Sequence, residues 1–327
     1  MFSKSPSECE AALARRGTTV AATGPWGAGL VRALLGKSSV ECPQVQCSSG
    51  SCECENPWTW VRMPLYGRGV IERTPCLPPT ALFLDLVDTI LSFSSGQKDL
   101  WRRVFDLHAE AIAEAAPQLS LQELAAAIDG RVAPRYWADA ERAARGRLEL
   151  FRARREVLRL GLREVHCELP ERLVMAVADT YTRTKESEVA PLGDAIGTVE
   201  AFGAMGCRLA LVTNGSSAFQ RSKLRRYGLE ALFEVVLVEG EWGVGKPDVS
   251  IFNEALRRMD LSAESVWMVG DNYDADIRGA AAAEIAGVWV RNGRTLPRGS
   301  VGPVHVIDHI SELIPLLDAS TRRGSLS

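Results

Sequence analysis

Apolar positions along this chain change their period three times, and each change marks a different kind of structure. Residues 81–84 form an uninterrupted apolar run, Ala-Leu-Phe-Leu, that ends in Asp85. Such a run predicts a strand buried on both faces, with a carboxylate at its C-terminal end. From Lys98 to about Glu188 the period becomes helical, with Trp101, Val104, Phe105, His108 and Ile112 on one face and Leu148, Phe151, Arg155 and Leu158 on another. Strand signals are absent there, which predicts an inserted α-helical cap over 98–188. Beyond it, short apolar runs at 208–213, 235–238, 266–269, 288–290 and 304–307 alternate with helical patterns, including a helix over 277–286 that Gly287 would close. Alternation of this kind argues for an α/β fold, a Rossmann-like doubly wound parallel sheet covered on both faces. The core would comprise 79–97 and 189–318, with a short tail at 319–327. Residues 1–78, rich in Ser, Gly, Pro and Cys with an Ala-rich piece at 9–16, sustain no period and read as a poorly ordered extension.

The expected strand ends carry a coherent set of side chains. Asp85 closes the first strand, Thr213-Asn214-Gly215 the second, and Gly270-Asp271, with Asp276 five residues on, a later one; Lys246-Pro247-Asp248 lies in a turn between. An aspartate can attack phosphorus and carry a covalent phosphoryl group. Thr213 and the amides of Asn214 and Gly215 would hold phosphoryl oxygens at a helix start, where the helix dipole favours anions. Lys246 would neutralise charge shared by carboxylate and phosphate. Asp85, Asp271 and Asp276 together suit an octahedral, oxygen-ligated Mg²⁺. Each piece has a plainer reading: a strand-end carboxylate can cap a turn, Thr-Asn-Gly can be an ordinary turn, and Asp271 and Asp276 can be helix caps. Their joint occurrence in this order is what argues for a site.

The same order and spacing resemble the haloacid dehalogenase superfamily of hydrolases from about Pro79 to Leu317. Its motifs are Asp-x-Asp-x-Thr, a strand ending in Ser or Thr, a Lys before Pro, and Gly-Asp followed by another Asp. The resemblance implies a Mg²⁺-dependent hydrolase of a small phosphorylated substrate, with Asp85, Thr213 and Lys246 in catalysis. It departs at the first motif, Asp85-Leu86-Val87-Asp88-Thr89, where Val87 replaces the Asp that protonates the leaving group. General acid–base help is worth roughly 10² to 10⁴ in rate. The expected enzyme is therefore slow, or confined to acyl and aryl phosphates. Asp88 lies one residue on, but strand alternation would point it to the opposite face unless the chain bulges. The alternative is a weak or inactive relative that binds a phosphorylated ligand or a protein partner. A third reading is carbon–halogen cleavage, whose branches lack the second Asp; those branches generally also lose the residue retained here as Asp271.

Composition narrows the field further. The 327 residues are 46% hydrophobic and 24% charged, enough for a large core, and a net charge of −3 argues against a general nucleic-acid binder. No run of 18 apolar residues occurs, so a membrane span is not expected. Cys42, Cys47, Cys52 and Cys54 lack the paired spacing of common zinc sites, and Cys167 and Cys207 read as small packed hydrophobes. A reduced, cytoplasmic setting is the default; Arg15, Arg16, Arg32 and Lys37 would suit an organelle-targeting segment, against which Glu8 and Glu10 count. Gly36-Lys37-Ser38 imitates the end of a P-loop but has Val31 at the required glycine. The arginines at 142, 145, 147, 152, 154 and 155 read as a solvated helix face rather than an anion site, and His108 as a packed residue. Neither the substrate nor the oligomeric state is legible.

Overall fold

The computed structural model describes residues 58–60, 73–75, 79–93, 99–296 and 302–318. The expectations for Cys42 to Cys54, Gly36-Lys37-Ser38, the early arginines and the 319–327 tail lie outside the described residues. Within the N-terminal stretch the described backbone is an antiparallel pair, β1 (Trp58–Trp60) and β2 (Arg73–Pro75).

Six parallel strands make the central sheet: β3 (Ala81–Leu84), β6 (Arg208–Thr213), β7 (Val235–Val238), β8 (Val266–Gly270), β9 (Ala286–Val290) and β10 (His305–Ile307). Their order is β10-β9-β8-β3-β6-β7. Period-2 geometry divides each strand between two cores. Leu82, Leu84, Leu209, Leu211, Trp267 and Val269 pack on one face, while Ala81, Phe83, Ala210, Val212, Val266 and Met268 pack on the other. Both faces are dry, which is why these strands read as continuous apolar runs. Chain order runs outward from β3 to β6 and β7, then returns to β8 on its other side. The topological switch point, where ligands bind in open α/β sheets, is therefore at the C-terminal ends of β3 and β8.

A short antiparallel ladder, β4 (Leu91–Phe93) with β5 (Val189–Pro191), forms where the chain leaves and re-enters the core. Between them, among the described residues, run seven α-helices and one π-helical segment (Ile128–Val132) with a core of their own: α1 (Leu100–Leu107), α2 (Ala109–Ala115), α3 (Leu121–Ala127), α4 (Ala133–Ala138), α5 (Ala140–Leu148), α6 (Leu150–Glu164) and α7 (Glu171–Ser187). Trp101, Val104, Phe105 and Ile112 are buried in it, as their helical spacing predicts. His108 packs at the α1–α2 junction, with Nε2 3.0 Å from Thr180 Oγ1. Cys167 and Cys207 are free and half-buried.

One local expectation fails. The segment 277–286 is not one helix closed by Gly287. A π-helical segment, Tyr273–Arg278, leads into a single α turn, Gly279–Ala282, and the reversal is made by Glu284 at φ 61°. Gly287 lies within β9, where an added Cβ would press on Ile277 at 3.0 Å. The glycine serves close helix–sheet packing rather than helix termination.

Candidate active site

Asp85 follows β3 directly and Asp271 follows β8, so the two adjacent strands carry them to the switch point together. Asp276 reaches the same point from the π-helical segment after β8, a turn type frequent at functional sites. That turn is stapled by its own side chains: Asn272 Oδ1 accepts from the Ala275 amide at 3.0 Å, and Asp276 Oδ2 accepts from the Asn272 amide at 2.9 Å. Gly270 is required by this arrangement, because a Cβ there would occupy the space of the Asp276 carboxylate.

Lys246 joins the carboxylates. Its Nζ lies 2.6 Å from Asp85 Oδ1 and 2.7 Å from Asp276 Oδ1, and its side chain is 1% exposed. The backbone that presents it is held by Asn214, whose side chain accepts from the Lys246 amide at 2.8 Å and donates to its carbonyl at 2.7 Å. The peptide to Pro247 is cis. Burial alone would lower the Lys246 pKa, but the charges of Asp276 and Asp85 outweigh it and hold the ammonium above the ordinary lysine range.

Carboxylate oxygens of Asp85, Asp271 and Asp276 all lie within 4.8 Å of one another. Burial, then the charge of Asp85, pushes Asp271 up to about 7, although Arg294 Nη2 at 2.8 Å from Oδ2 pulls the other way. Burial likewise raises Asp276 to about 6 against the opposing pull of Lys246, with repulsion from Asp85 adding to the rise. Three buried oxygen donors that resist sharing negative charge fit a hard divalent cation such as Mg²⁺.

Thr213 ends β6 and is buried, its Oγ1 accepting from Gln220 Nε2 at 2.6 Å. Gln220 Oε1 in turn accepts from Lys223 Nζ at 2.9 Å, and Lys223 lies 2.7 Å from Glu186 on α7. The Gly215 amide, expected to face a phosphoryl group, donates to Glu239 Oε2 at 2.7 Å. Glu239 also receives Arg147 of α5, with Nη2 3.0 Å from Oε1. The sequence reading missed Gln220, Glu239 and Arg294, and set Arg147 aside as part of a solvated helix face. Glu239 carried a signal: it follows buried β7 as Asp85 follows β3. Arg294 carried none, and nothing in the spacing set Arg147 apart from its neighbouring arginines, since only the tertiary fold brings them here.

The solvated-face reading of the cap arginines holds in part. Arg145 and Arg152 are exposed and pair within their own helical stretch, with Glu141 and Glu149. Arg147 and Arg154 are half-buried and line cavities, the first of which Arg145 also borders.

Val87 and Asp88 complete the picture. The strand ends at Leu84, and Asp88 has a left-handed backbone with φ 62°, so strand alternation no longer governs where it points. Asp88 lines the same cleft, of about 930 Å³, as Asp85, Val87, Thr213, Lys246, Asp271 and Asp276. One of its oxygens, Oδ1, accepts from Ser92 Oγ at 2.9 Å.

The pattern of a haloacid dehalogenase-like hydrolase matches residues 79–284, more than half of the chain. The chain belongs to this family. Its α/β fold agrees with that of the magnesium-bound HAD-hydrolase YfnB from Bacillus subtilis. That match has TM-score 0.57 and 23% identity, covering 74% of this chain and 99% of that one. Among curated relatives, a glyceraldehyde 3-phosphate phosphatase from Methanopyrus kandleri is 36% identical over 157 residues, 45% of this chain and 67% of its own length. The phosphoserine phosphatase of Thermus thermophilus is 47% identical over 88 residues, 27% of this chain and 35% of its own length. The pyrimidine 5'-nucleotidase YjjG of Escherichia coli is 31% identical over 183 residues, 55% of this chain and 77% of its own. No helix among the described residues is long and apolar enough to cross a membrane.

Proposed function

We propose that this hydrolase is a phosphatase of a small phosphorylated metabolite, working through a phosphoryl group carried on Asp85. The observation that carries the reading is the buried constellation of Asp85, Lys246, Asp271 and Asp276 at the switch point. The phosphatase names of its curated relatives support it. In the first step an Asp85 oxygen attacks phosphorus in line, the phosphorus–oxygen bond to the leaving group breaks, and the leaving oxygen departs with the electron pair. In the second, water attacks the same phosphorus, releasing inorganic phosphate and regenerating the Asp85 carboxylate. The Thr213 hydroxyl and the Asn214 amide position the phosphoryl oxygens, and Lys246 balances charge that moves from carboxylate to phosphoryl group. Asp85, Asp271 and Asp276 would hold Mg²⁺, which when bound polarises the phosphoryl group. The retention of Asp271 beside Asp85 favours phosphate over halide chemistry.

Val87 offers no proton to the leaving oxygen. Turnover is then restricted to leaving groups that need little protonation, or the task falls to Asp88, whose place in the cleft favours it as a stand-in and whose Oδ2 accepts no hydrogen bond among the described residues. Val87 also favours the second reading, a phosphate-binding protein without turnover.

The test is Mg²⁺-dependent phosphate release from aryl, acyl and sugar phosphates by the wild type and by Asp85→Asn. Turnover lost in the variant supports the phosphatase. Wild-type activity no higher than the variant's, with phosphate-analogue binding intact, replaces it with the binding reading.

A further inference from the structure

A second cavity of about 530 Å³ opens beside the catalytic cleft, within the range of small-molecule sites. The two share Val87, Arg147, Asn214 and Gln220, so Val87 stands at their junction. Their charges differ. The cleft is lined by an excess of acidic residues over Arg145, Arg147 and Lys246, whereas basic residues outnumber acidic ones around the second cavity.

Two of those basic groups are in no ion pair, although Glu186 and Asp129 line the same cavity. The Arg154 guanidinium of α6 lies over the rings of Trp137 at 4.9 Å and Tyr181 at 5.3 Å, and the Lys185 ammonium of α7 lies over Phe93 at 4.9 Å. Among the described residues neither makes a hydrogen bond or an ion pair. The neighbouring cations differ: Arg147 has Glu239 and Lys223 has Glu186. Aromatic faces fix the two groups in place and leave their N–H donors unspent. Both are half-buried. Burial lowers Arg154 from its usual value, and burial with the charge of Arg154 takes Lys185 down to about 8, so the nearby charges of Glu186, Asp88 and Asp129 offset the cost of burying these cations only in part. An anion placed between them would relieve that cost, and a guanidinium's edge suits a carboxylate or phosphate bidentately.

Building on the phosphatase reading, we propose that this cavity binds a second anionic group, carboxylate or phosphate, on the leaving-group end of the substrate, with Arg154 and Lys185 as its ligands. The substrate class is then a small metabolite with one phosphoryl group in the cleft and a second anion at its far end. Neutral polyol and nucleoside leaving groups are disfavoured.

The test is calorimetric binding, with Mg²⁺ present, of glycerol phosphate, phosphoglycerate and glycerol bisphosphate to the full chain carrying Asp85→Asn. At least one doubly anionic probe binds about tenfold or more tighter than glycerol phosphate, as one charge-assisted contact predicts. Whichever of the two gains more identifies carboxylate or phosphate. Arg154→Met removes most of that advantage, and Arg152→Met, on the exposed side of the same helix, leaves it. If Arg154→Met does not fold, Lys185→Met carries the same readout. Equal binding of the three probes, or an advantage that survives both cavity substitutions, overturns the inference. Wild-type hydrolysis without discrimination would sink this inference and leave the phosphatase standing. Discrimination in binding without wild-type hydrolysis would do the reverse.

Discussion

Replacing Val87 by aspartate tests whether the missing proton donor limits this enzyme. Val87 lines the cleft with Asp85 and is only partly buried against the core, so a carboxylate of nearly the same size fits with little repacking. The loss of apolar burial is a fraction of the roughly 1.5–3 kcal/mol that full burial of such a side chain supplies, about 1 kcal/mol. The new carboxylate would sit near Asp85 and Asp88, and their negative charge would raise its pKa, which is what an acid working near neutrality needs. General acid–base help of roughly 10² to 10⁴ corresponds to about 3–5 kcal/mol off the barrier. That gain applies only where the leaving oxygen needs a proton. Val87→Asp should therefore raise kcat/KM for an alkyl phosphate by about 10² or more and for an aryl phosphate by less than about tenfold. Thermal denaturation controls for folding. Equal enhancement of both substrates, or of neither in a folded variant, refutes the missing-acid account. Asp88→Asn in the wild-type background separates the remaining cases: collapse of alkyl turnover there would mean that Asp88 already serves as the acid.

Three further outcomes follow from the geometry. Lys246→Met leaves the buried Asp85 and Asp276 carboxylates without their shared cation, so stability falls by about 3–5 kcal/mol in denaturant titration without metal, and Mg²⁺ recovers part of it; a loss below about 1 kcal/mol would contradict the buried-triad description. Gly270→Ala pushes the Asp276 carboxylate from its place, lowering Mg²⁺ affinity by about tenfold or more in calorimetry while the far-ultraviolet circular dichroism stays native; unchanged affinity would show that Asp276 is not held by that close approach. Lys185 is brought down to about 8 by burial and by Arg154, against the opposing charges of Glu186, Asp88 and Asp129. It is charged below that pH and neutral above it, so affinity for the doubly anionic probe should be full near pH 7 and fall through 8 to 9, while Lys185→Arg keeps it level; a flat wild-type profile would remove Lys185 from the anion site.

What could be read from the sequence was whatever is written locally. Phe83 and Leu84 announce a strand buried on both faces because two cores meet there, and Asp85, Thr213 and Asp271 could be placed at strand ends because each follows an apolar run. The helical period around Trp101 and Phe105 was equally local. Gly287 misled because a glycine after a helical pattern looks the same whether it ends a helix or lets a helix approach a strand; the contact with Ile277 that decides between them is tertiary. Asp88 misled for a related reason, since alternation was carried one turn past the true end of the strand. Arg147, Arg154 and Lys185 could not be told from exposed cap residues by spacing. What distinguishes them is which cavity each faces, and that depends on how α5, α6 and α7 lie over the sheet.

The departure at Val87 and the unpaired cations beyond it bear on one another. A valine at the junction of the two cavities presents an apolar surface between an acid-rich cleft and a base-rich chamber. A carboxylate there would be drawn toward Lys185 and Arg154 and would compete with a substrate anion for them, since opposite charges in a half-buried setting attract strongly. Loss of the acid and retention of unpaired cations are thus consistent demands of one substrate. If its far end carries the negative charge, that end is better served by an Arg154 and Lys185 that no side chain at position 87 competes for. Combining Val87→Asp with the probe series makes the argument testable. The substitution should weaken binding of the doubly anionic probe relative to glycerol phosphate even as it accelerates alkyl ester hydrolysis, and a gain in rate with no loss of that preference would separate the two features.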